Sequence, residues 1–379
     1  MATDPDHLPM PTVSPGLHLP RWLGPTAAVA GTILGIASSL YSNEFRTALT
    51  TADRRFTSPT LSILVTTLVA SATTAYIFRL LVRRSQRHAQ IVTGEIQIKS
   101  DVLESVTDDK DSIVGRSLRY IEARRDSDEL VVFLHGLGLD ADDFRPYLPE
   151  SRFHCIAITQ YGFNIDEKDD DHYRPISLQT HVQLLGYALR HIRAKYPKKR
   201  IAIVGFSFGA DMLLFLPQIA LEGIRSVRVS RAILLDPNVN QTTTTISSKI
   251  AEVETDQRLK ELVAILESAE NLGDFRNLCE YLYKITAKNF AQIQRHAQDV
   301  IEMWPGDAYD AFLDRLGQLT SVVDDIRLVL SFDYERHFNS IARGASNRGL
   351  NPKNLECSRW GHFDLIGSRF LKDRLEGVL

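Results

Sequence analysis

Twelve residues, Arg200-Ile-Ala-Ile-Val-Gly-Phe-Ser-Phe-Gly-Ala-Asp211, restrict this chain more than any other stretch. Ile201 to Val204 is a continuous apolar, largely β-branched run, which reads as a buried strand. Gly205-Phe-Ser-Phe-Gly209 follows at once, and an apolar helical run occupies Ala210 to Leu221. Strand, G-x-S-x-G and helix in that order describe a nucleophile elbow. A serine in so sharp a strand-to-helix turn has strained backbone angles, and glycines two positions to either side remove side chains that would collide there. Ser207 Oγ is then expected to stand clear at the top of a sheet, above the N-terminal N–H groups of the next helix. A Gly-Ser turn joining core strand to core helix is the plainer alternative.

The rest of the chain supplies the sheet that such a turn needs. Ile91 to Lys99 and Arg116 to Glu122 alternate and predict two strands. Leu130 to Leu134 and Phe153 to Thr159 are apolar throughout and predict fully buried strands. Ser177 to Tyr196 has helical spacing and stops at Pro197. Arg231 to Leu235, Ile326 to Phe332 and Asn354 to Cys357 complete the strands, and a last helix is expected over Leu365 to Leu379. Strands alternating with helices predict an α/β fold, a mostly parallel sheet covered on both faces. Between Gln241 and Ser321 the pattern is helical, with Leu278, Tyr281, Leu282 and Ile285 marking one face. An insertion of that length is expected to be functional, a helical cap (about 241–321) over the strands' carboxyl ends.

Residues 1–20 read as a disordered tail. Two uncharged runs follow, at about 23–41 and 58–78, each long enough to cross about 30 Å of hydrocarbon. They predict a pair of transmembrane helices within 21–88, with a pair of buried soluble helices as the alternative. Arg21, Arg79, Arg83, Arg84 and Arg87 flank one side and Arg46, Arg54 and Arg55 the other, which places the termini and the domain at 90–379 on the cytoplasmic side. Residues 1–90 hold 8 Lys and Arg against 4 Asp and Glu, and the remainder holds 36 against 43. That acidic balance excludes a nucleic-acid partner for the larger domain. The three cysteines are scattered, and no Cys/His cluster suggests a metal or a disulfide framework.

A serine hydroxyl needs a base within hydrogen-bond reach. Of the 11 histidines, His362 in Trp360-Gly-His-Phe-Asp-Leu365 is best placed, on the loop after the last strand. His135 opens His135-Gly-Leu-Gly-Leu-Asp140, after a buried strand. Gly136 and Gly138 there free the N–H of Leu137, which with the N–H of Phe208 forms a candidate oxyanion hole, while His135 itself is expected to be structural. The chain resembles the α/β-hydrolase superfamily in these three features and their order: His135-Gly136, the Gly205–Gly209 elbow and Gly361-His362. The resemblance spans about residues 91–379. It implies Ser207 as nucleophile, His362 as base, and Leu137 and Phe208 as oxyanion donors. The elbow through Asp211 is also similar to that of the VirJ/AcvB group of bacterial hydrolases, which act on aminoacylated phospholipid.

In most of the superfamily the acid follows the strand before the histidine strand, which favours Asp333, with Glu335 two residues on. Asp236, in Leu234-Leu-Asp-Pro-Asn238, follows the preceding strand and is the other alternative. Asp211 is expected to cap or pair locally, and Asp169 to Asp171 to form a solvated loop. The sequence thus predicts a membrane-anchored serine hydrolase (Ser207, His362, Asp333) cleaving carboxylic esters, lipid esters among them. No cofactor or metal is expected. The partners are a small-molecule or lipid ester and a membrane reached through residues 21–82. An amidase or peptidase using the same residues, and a catalytically silent binding module, are the alternatives.

Overall fold

Strands with no polar face must be covered twice, and the architecture follows from that requirement. The computed structural model describes residues 90–99, 113, 115–168, 173–254, 258–269 and 271–378. The chain divides into two units, Met1–Ser85 and Gln86–Leu379. The first, with both uncharged runs, lies outside the described residues. Among the described residues no helix is long and apolar enough to cross a membrane.

Eight strands form one sheet: β1 (Ile91–Gln97), β2 (Ser117–Ala123), β3 (Glu129–Leu134), β4 (His154–Thr159), β5 (Arg200–Phe206), β6 (Val229–Leu235), β7 (Asp325–Leu330) and β8 (Leu355–Cys357). Their spatial order is β1-β2-β4-β3-β5-β6-β7-β8. β1 pairs antiparallel with β2, and β2 with β4. The remaining pairings, from β4–β3 through β7–β8, are parallel. The two alternating strands of the sequence are therefore the antiparallel edge, and the continuous apolar ones the buried centre. The mostly parallel sheet is as the alternation of elements implies.

Helix α1 (Leu178–Lys195) starts where Ser177 Oγ accepts from Thr180 N–H and ends before Pro197. α2 (Phe208–Ile219) leaves the elbow directly, and α3 (Leu221–Val227) follows it. Between β6 and β7 the chain forms α4 (Thr245–Ala251), α5 (Arg258–Ala264), α6 (Leu272–Thr286), α7 (Phe290–Met303) and α8 (Asp310–Thr320). The expected face of α6 is the buried one: Leu278, Tyr281, Leu282 and Ile285. α7 is fixed against the sheet's flank, where Asp299 Oδ2 accepts from Leu178 N–H at 2.7 Å and Gln292 bonds both polar groups of the Ile176 backbone.

Two elements differ from the sequence expectation. Helix α9 (Phe338–Asn347), which buries Ile341 and Ala345, is not among the expected elements. The expected C-terminal helix is split: Gly367 is extended between a short turn at Phe363–Ile366 and the helical segment that starts at Ser368.

One buried charge anchors the antiparallel edge. Glu122 on β2 is 1% exposed and takes hydrogen bonds from His154 Nε2 at 2.8 Å and from the Tyr196 hydroxyl, with Lys195 at 3.3 Å. Burial alone would raise its pKa, but these donors outweigh burial and hold the carboxyl well below its ordinary range. A depressed folded pKa contributes stability that is present above the unfolded value and lost as pH falls. Glu122→Gln should therefore lower stability at pH 7 by about 1–3 kcal/mol. The gap to wild type, read by urea melts at several pH values, should narrow as pH drops below the ordinary carboxylate range.

Candidate active site

The backbone at the elbow is strained as its sequence requires. Ser207 sits at φ 50° and ψ −119°, a region that non-glycine residues rarely occupy. Its N–H donates to Leu235 O on β6 at 2.8 Å, and its own carbonyl accepts from Ala210 and Asp211 at the start of α2. The two glycines are required by contact. A Cβ on Gly205 would lie 2.6 Å from Gly209 O, and one on Gly209 would lie 2.5 Å from Leu134 O and 2.8 Å from His135 O. Ser207 Oγ caps no helix N–H, and it faces a cavity of about 400 Å³.

His362 and a carboxylate open onto the same cavity. His362 Nδ1 is 2.6 Å from Asp236 Oδ2. The imidazole rests against Phe206, ring centroids 4.7 Å apart, and against Phe363 at 5.1 Å. Asp236 is 4% exposed. Its other oxygen accepts from Ser331 N–H at 2.6 Å, and its own N–H donates to Val329 O. Asp236 stands at φ 51°, a second strained residue in the site.

The carboxylate at the imidazole is therefore Asp236, the alternative after β6, and not Asp333. Asp333 lies on the turn Phe332–Tyr334 that begins as β7 ends, exposed and bonded to Ser331 Oγ at 3.0 Å. It also lines the cavity. Glu335 is exposed on the same turn and does not line the cavity.

On the opposite wall, Gly136 and Leu137 line the cavity. Neither the Leu137 N–H nor the Phe208 N–H makes a turn or cap bond among the described residues, so both remain available as donors. His135 is buried beneath the loop. Its Nε2 accepts from Gln160 N–H at 3.1 Å, which leaves Nδ1 protonated to donate to Gly136 O at 2.8 Å. Burial pushes its pKa down to about 4, and both ring nitrogens are engaged, so it holds the loop as a neutral imidazole.

The insertion reaches the site, through contacts that the sequence did not reveal. Lys288, fully buried after α6, donates to Gly138 O at 2.8 Å and pairs with Asp140 at 2.8 Å. Burial pushes the Lys288 ammonium below its ordinary value, with Asp140 countering. Burial would likewise raise the Asp140 carboxyl, but the Lys288 charge outweighs it. Lys284 pairs with Asp143 on the same loop. Isolated lysines and aspartates some 140 residues apart carry no sequence signal for this clamp. Thr242 to Ser247, Tyr281 and Tyr309 form the remaining wall. Asp211 is wholly buried and accepts from both Asn238 N–H at 2.9 Å and Asn238 Nδ2 at 2.6 Å. The pair joins the first turn of α2 to the segment after β6, 27 residues on, and is not the local cap or pair expected of Asp211. Burial raises its pKa to about 7, against the lowering effect of Asn238. Asp169 to Asp171 lie outside the described residues, and among the described residues no cluster of metal-ligating side chains occurs.

The sequence pattern described as the alpha/beta hydrolase family matches residues 131–360, and the chain belongs to that family. No curated protein matches it in sequence. Solved structures are similar in fold. An AqdC variant in complex with its substrate, from work on ring cleavage of the Pseudomonas quinolone signal, has a TM-score of 0.51 at 13% identity, covering 76% of this chain and 100% of that one. A membrane phospholipase A, a bacterial virulence factor, has a TM-score of 0.49 at 13% identity, over 84% and 97%. A putative lipase from Acinetobacter baumannii has a TM-score of 0.49 at 12% identity, over 79% and 95%.

The elbow's tight packing gives a direct test. Gly209→Ala places a methyl group against the backbone oxygens of Leu134 and His135 and should cost about 1–3 kcal/mol. Thermal melts should show the loss even with the catalytic side chains untouched.

Proposed function

We propose that this protein is a serine hydrolase that cleaves carboxylic esters through an acyl-enzyme. The observation that carries this reading is the Asp236–His362 pair at 2.6 Å, opening on the cavity that Ser207 faces. Asp236 holds Nδ1 in its protonated form, which leaves Nε2 to act as the base. Ser207 Oγ attacks the ester carbonyl as His362 takes its proton. The carbonyl oxygen gains charge and is met by the N–H groups of Leu137 and Phe208. Collapse breaks the C–O bond, and His362 returns the proton to the departing alcohol. Water, activated by His362, then releases the acid.

Asp236→Asn should lower kcat on a p-nitrophenyl ester by about 10,000-fold, because the imidazole loses its tautomer and its countercharge. Asp333→Asn and Glu335→Gln, on the exposed turn, should stay within about threefold of wild type. An active Asp236→Asn beside an inactive Asp333→Asn would reverse the assignment. A fluorophosphonate probe separates the hydrolase from a silent binding module: well-folded protein that leaves Ser207 unlabelled would favour the module.

We also propose that residues 21–82 anchor the enzyme to a membrane as a helical hairpin, with the catalytic unit on the cytoplasmic side. Two uncharged runs with arginines at their edges support this. Lipid esters are then substrates within reach, and the similarity of the elbow to the VirJ/AcvB group makes aminoacylated phospholipid one to test. Removing residues 1–88 should leave a soluble enzyme that retains turnover of short soluble esters and loses turnover of bilayer-embedded ones, since proximity is lost. Release of the full-length protein by carbonate would reject the hairpin.

A further inference from the structure

Tyr281 is 4% exposed and lines the catalytic cavity from α6. Its ring packs on Phe363, the neighbour of His362, with centroids 5.4 Å apart. One turn further along the same face, Ile285 meets the oxyanion loop: a Cβ on Gly138, at φ +75°, would lie 2.3 Å from Ile285 Cγ2. The same Cβ position is 3.5 Å from the Tyr281 hydroxyl. The hydroxyl thus sits beside the loop that presents the Leu137 N–H. It has no hydrogen-bond partner among the described residues. The oxygen is not among the wholly buried unpartnered polar atoms of the described residues, so it is reached from the cavity that Tyr281 lines and can meet a ligand there.

We propose that the Tyr281 hydroxyl is a third oxyanion donor, supplied by the insertion and bonded to the substrate's carbonyl oxygen. This rests on the serine hydrolase reading and deepens it. As Ser207 Oγ bonds to the carbonyl carbon, the π pair moves onto the oxygen, and Tyr281 donates to it while keeping its proton. Burial raises the phenol's pKa, so the group remains a donor throughout the working range. The donor also gives the insertion a chemical role: α6, clamped to the loop by Lys284 and Lys288, fixes Tyr281 relative to Leu137.

Tyr281→Phe in the full-length protein removes the oxygen alone. kcat and kcat/KM should fall together by about tenfold to hundredfold, as for loss of a donor used in the transition state. The fall should be equal for the p-nitrophenyl and ethyl esters of one acid, since the carbonyl oxygen is common to both. Affinity for a trifluoromethyl ketone, whose adduct carries the oxyanion, should weaken by a similar factor, with the melting temperature unchanged or raised. Wild-type rates in Tyr281→Phe would overturn the assignment. So would a loss confined to the ethyl ester, which would put the hydroxyl on the leaving alcohol. A crystal structure of wild-type enzyme phosphonylated at Ser207 tests the point without a variant: the phosphonyl oxygen should lie within hydrogen-bond distance of Tyr281, and a separation that excludes a bond would refute it. Wild-type protein that neither turns over esters nor labels at Ser207 would reject the hydrolase reading itself, and this inference with it.

Discussion

Everything at the site depends on holding Ser207 in a backbone conformation it would not choose. A residue at φ 50° costs on the order of 1–3 kcal/mol, and it persists only where its surroundings over-determine it. Here they do so from two sides. Ser207 N–H is tied to Leu235 on β6, and the first turn of α2 is pressed onto the end of β3 so closely that Gly209 can carry no side chain. The strain exposes Oγ and leaves the Phe208 N–H unpaired beside it. The same contact that sustains the strain therefore also positions the N–H that the proposed mechanism uses as an oxyanion donor.

The second half of the site is an assembly of distant segments. The Gly136–Asp143 loop follows β3, yet it is held from outside the sheet, by Lys284 and Lys288 of the insertion. Burying an ammonium such as Lys288 is unfavourable unless it is paired and hydrogen-bonded, and here Asp140 and Gly138 O meet both needs. Losing the clamp would leave Asp140 and the Gly138 carbonyl without their partner, so the loop and the insertion are expected to move as one. Such preorganisation suits a site whose donors must already point at the oxygen when charge develops.

How much of this was legible in the sequence depended on the range of the interaction. Ser207, its glycines, the buried strands and the buried face of α6 are local patterns, set by periodicity and by what a tight turn tolerates. His362 and the Gly136–Gly138 loop were readable because each directly follows a strand, where an α/β sheet places its functional groups. The C-terminal helix was misjudged because Gly367 interrupts a run that is otherwise helical. The lysine clamp, Tyr281 and the Asp211–Asn238 pair depend on which surfaces meet after folding, and no spacing encodes that.

The acid shows why strand order alone misled. Asp333 has the expected address, on the turn after the strand next to β8, but that turn coils at once and carries its carboxylate to the surface. Asp236 ends β6, and its backbone N–H is taken by Val329 on β7, which fixes where β6 stops. The carboxylate then meets Ser331 N–H on one oxygen and His362 on the other. The end of β7, expected to supply the carboxylate, supplies instead the amide that orients it. Because Asp236 is bonded through both main chain and side chain to β7, the imidazole's partner is set by the pairing of two buried strands rather than by a loop. Asp211 reinforces this from below, through Asn238 two residues on, so that the nucleophile's own helix holds the segment that carries the acid. The proposed nucleophile and acid thus share one hydrogen-bonded frame, and His362, on its turn after β8, meets that frame through the Asp236 bond.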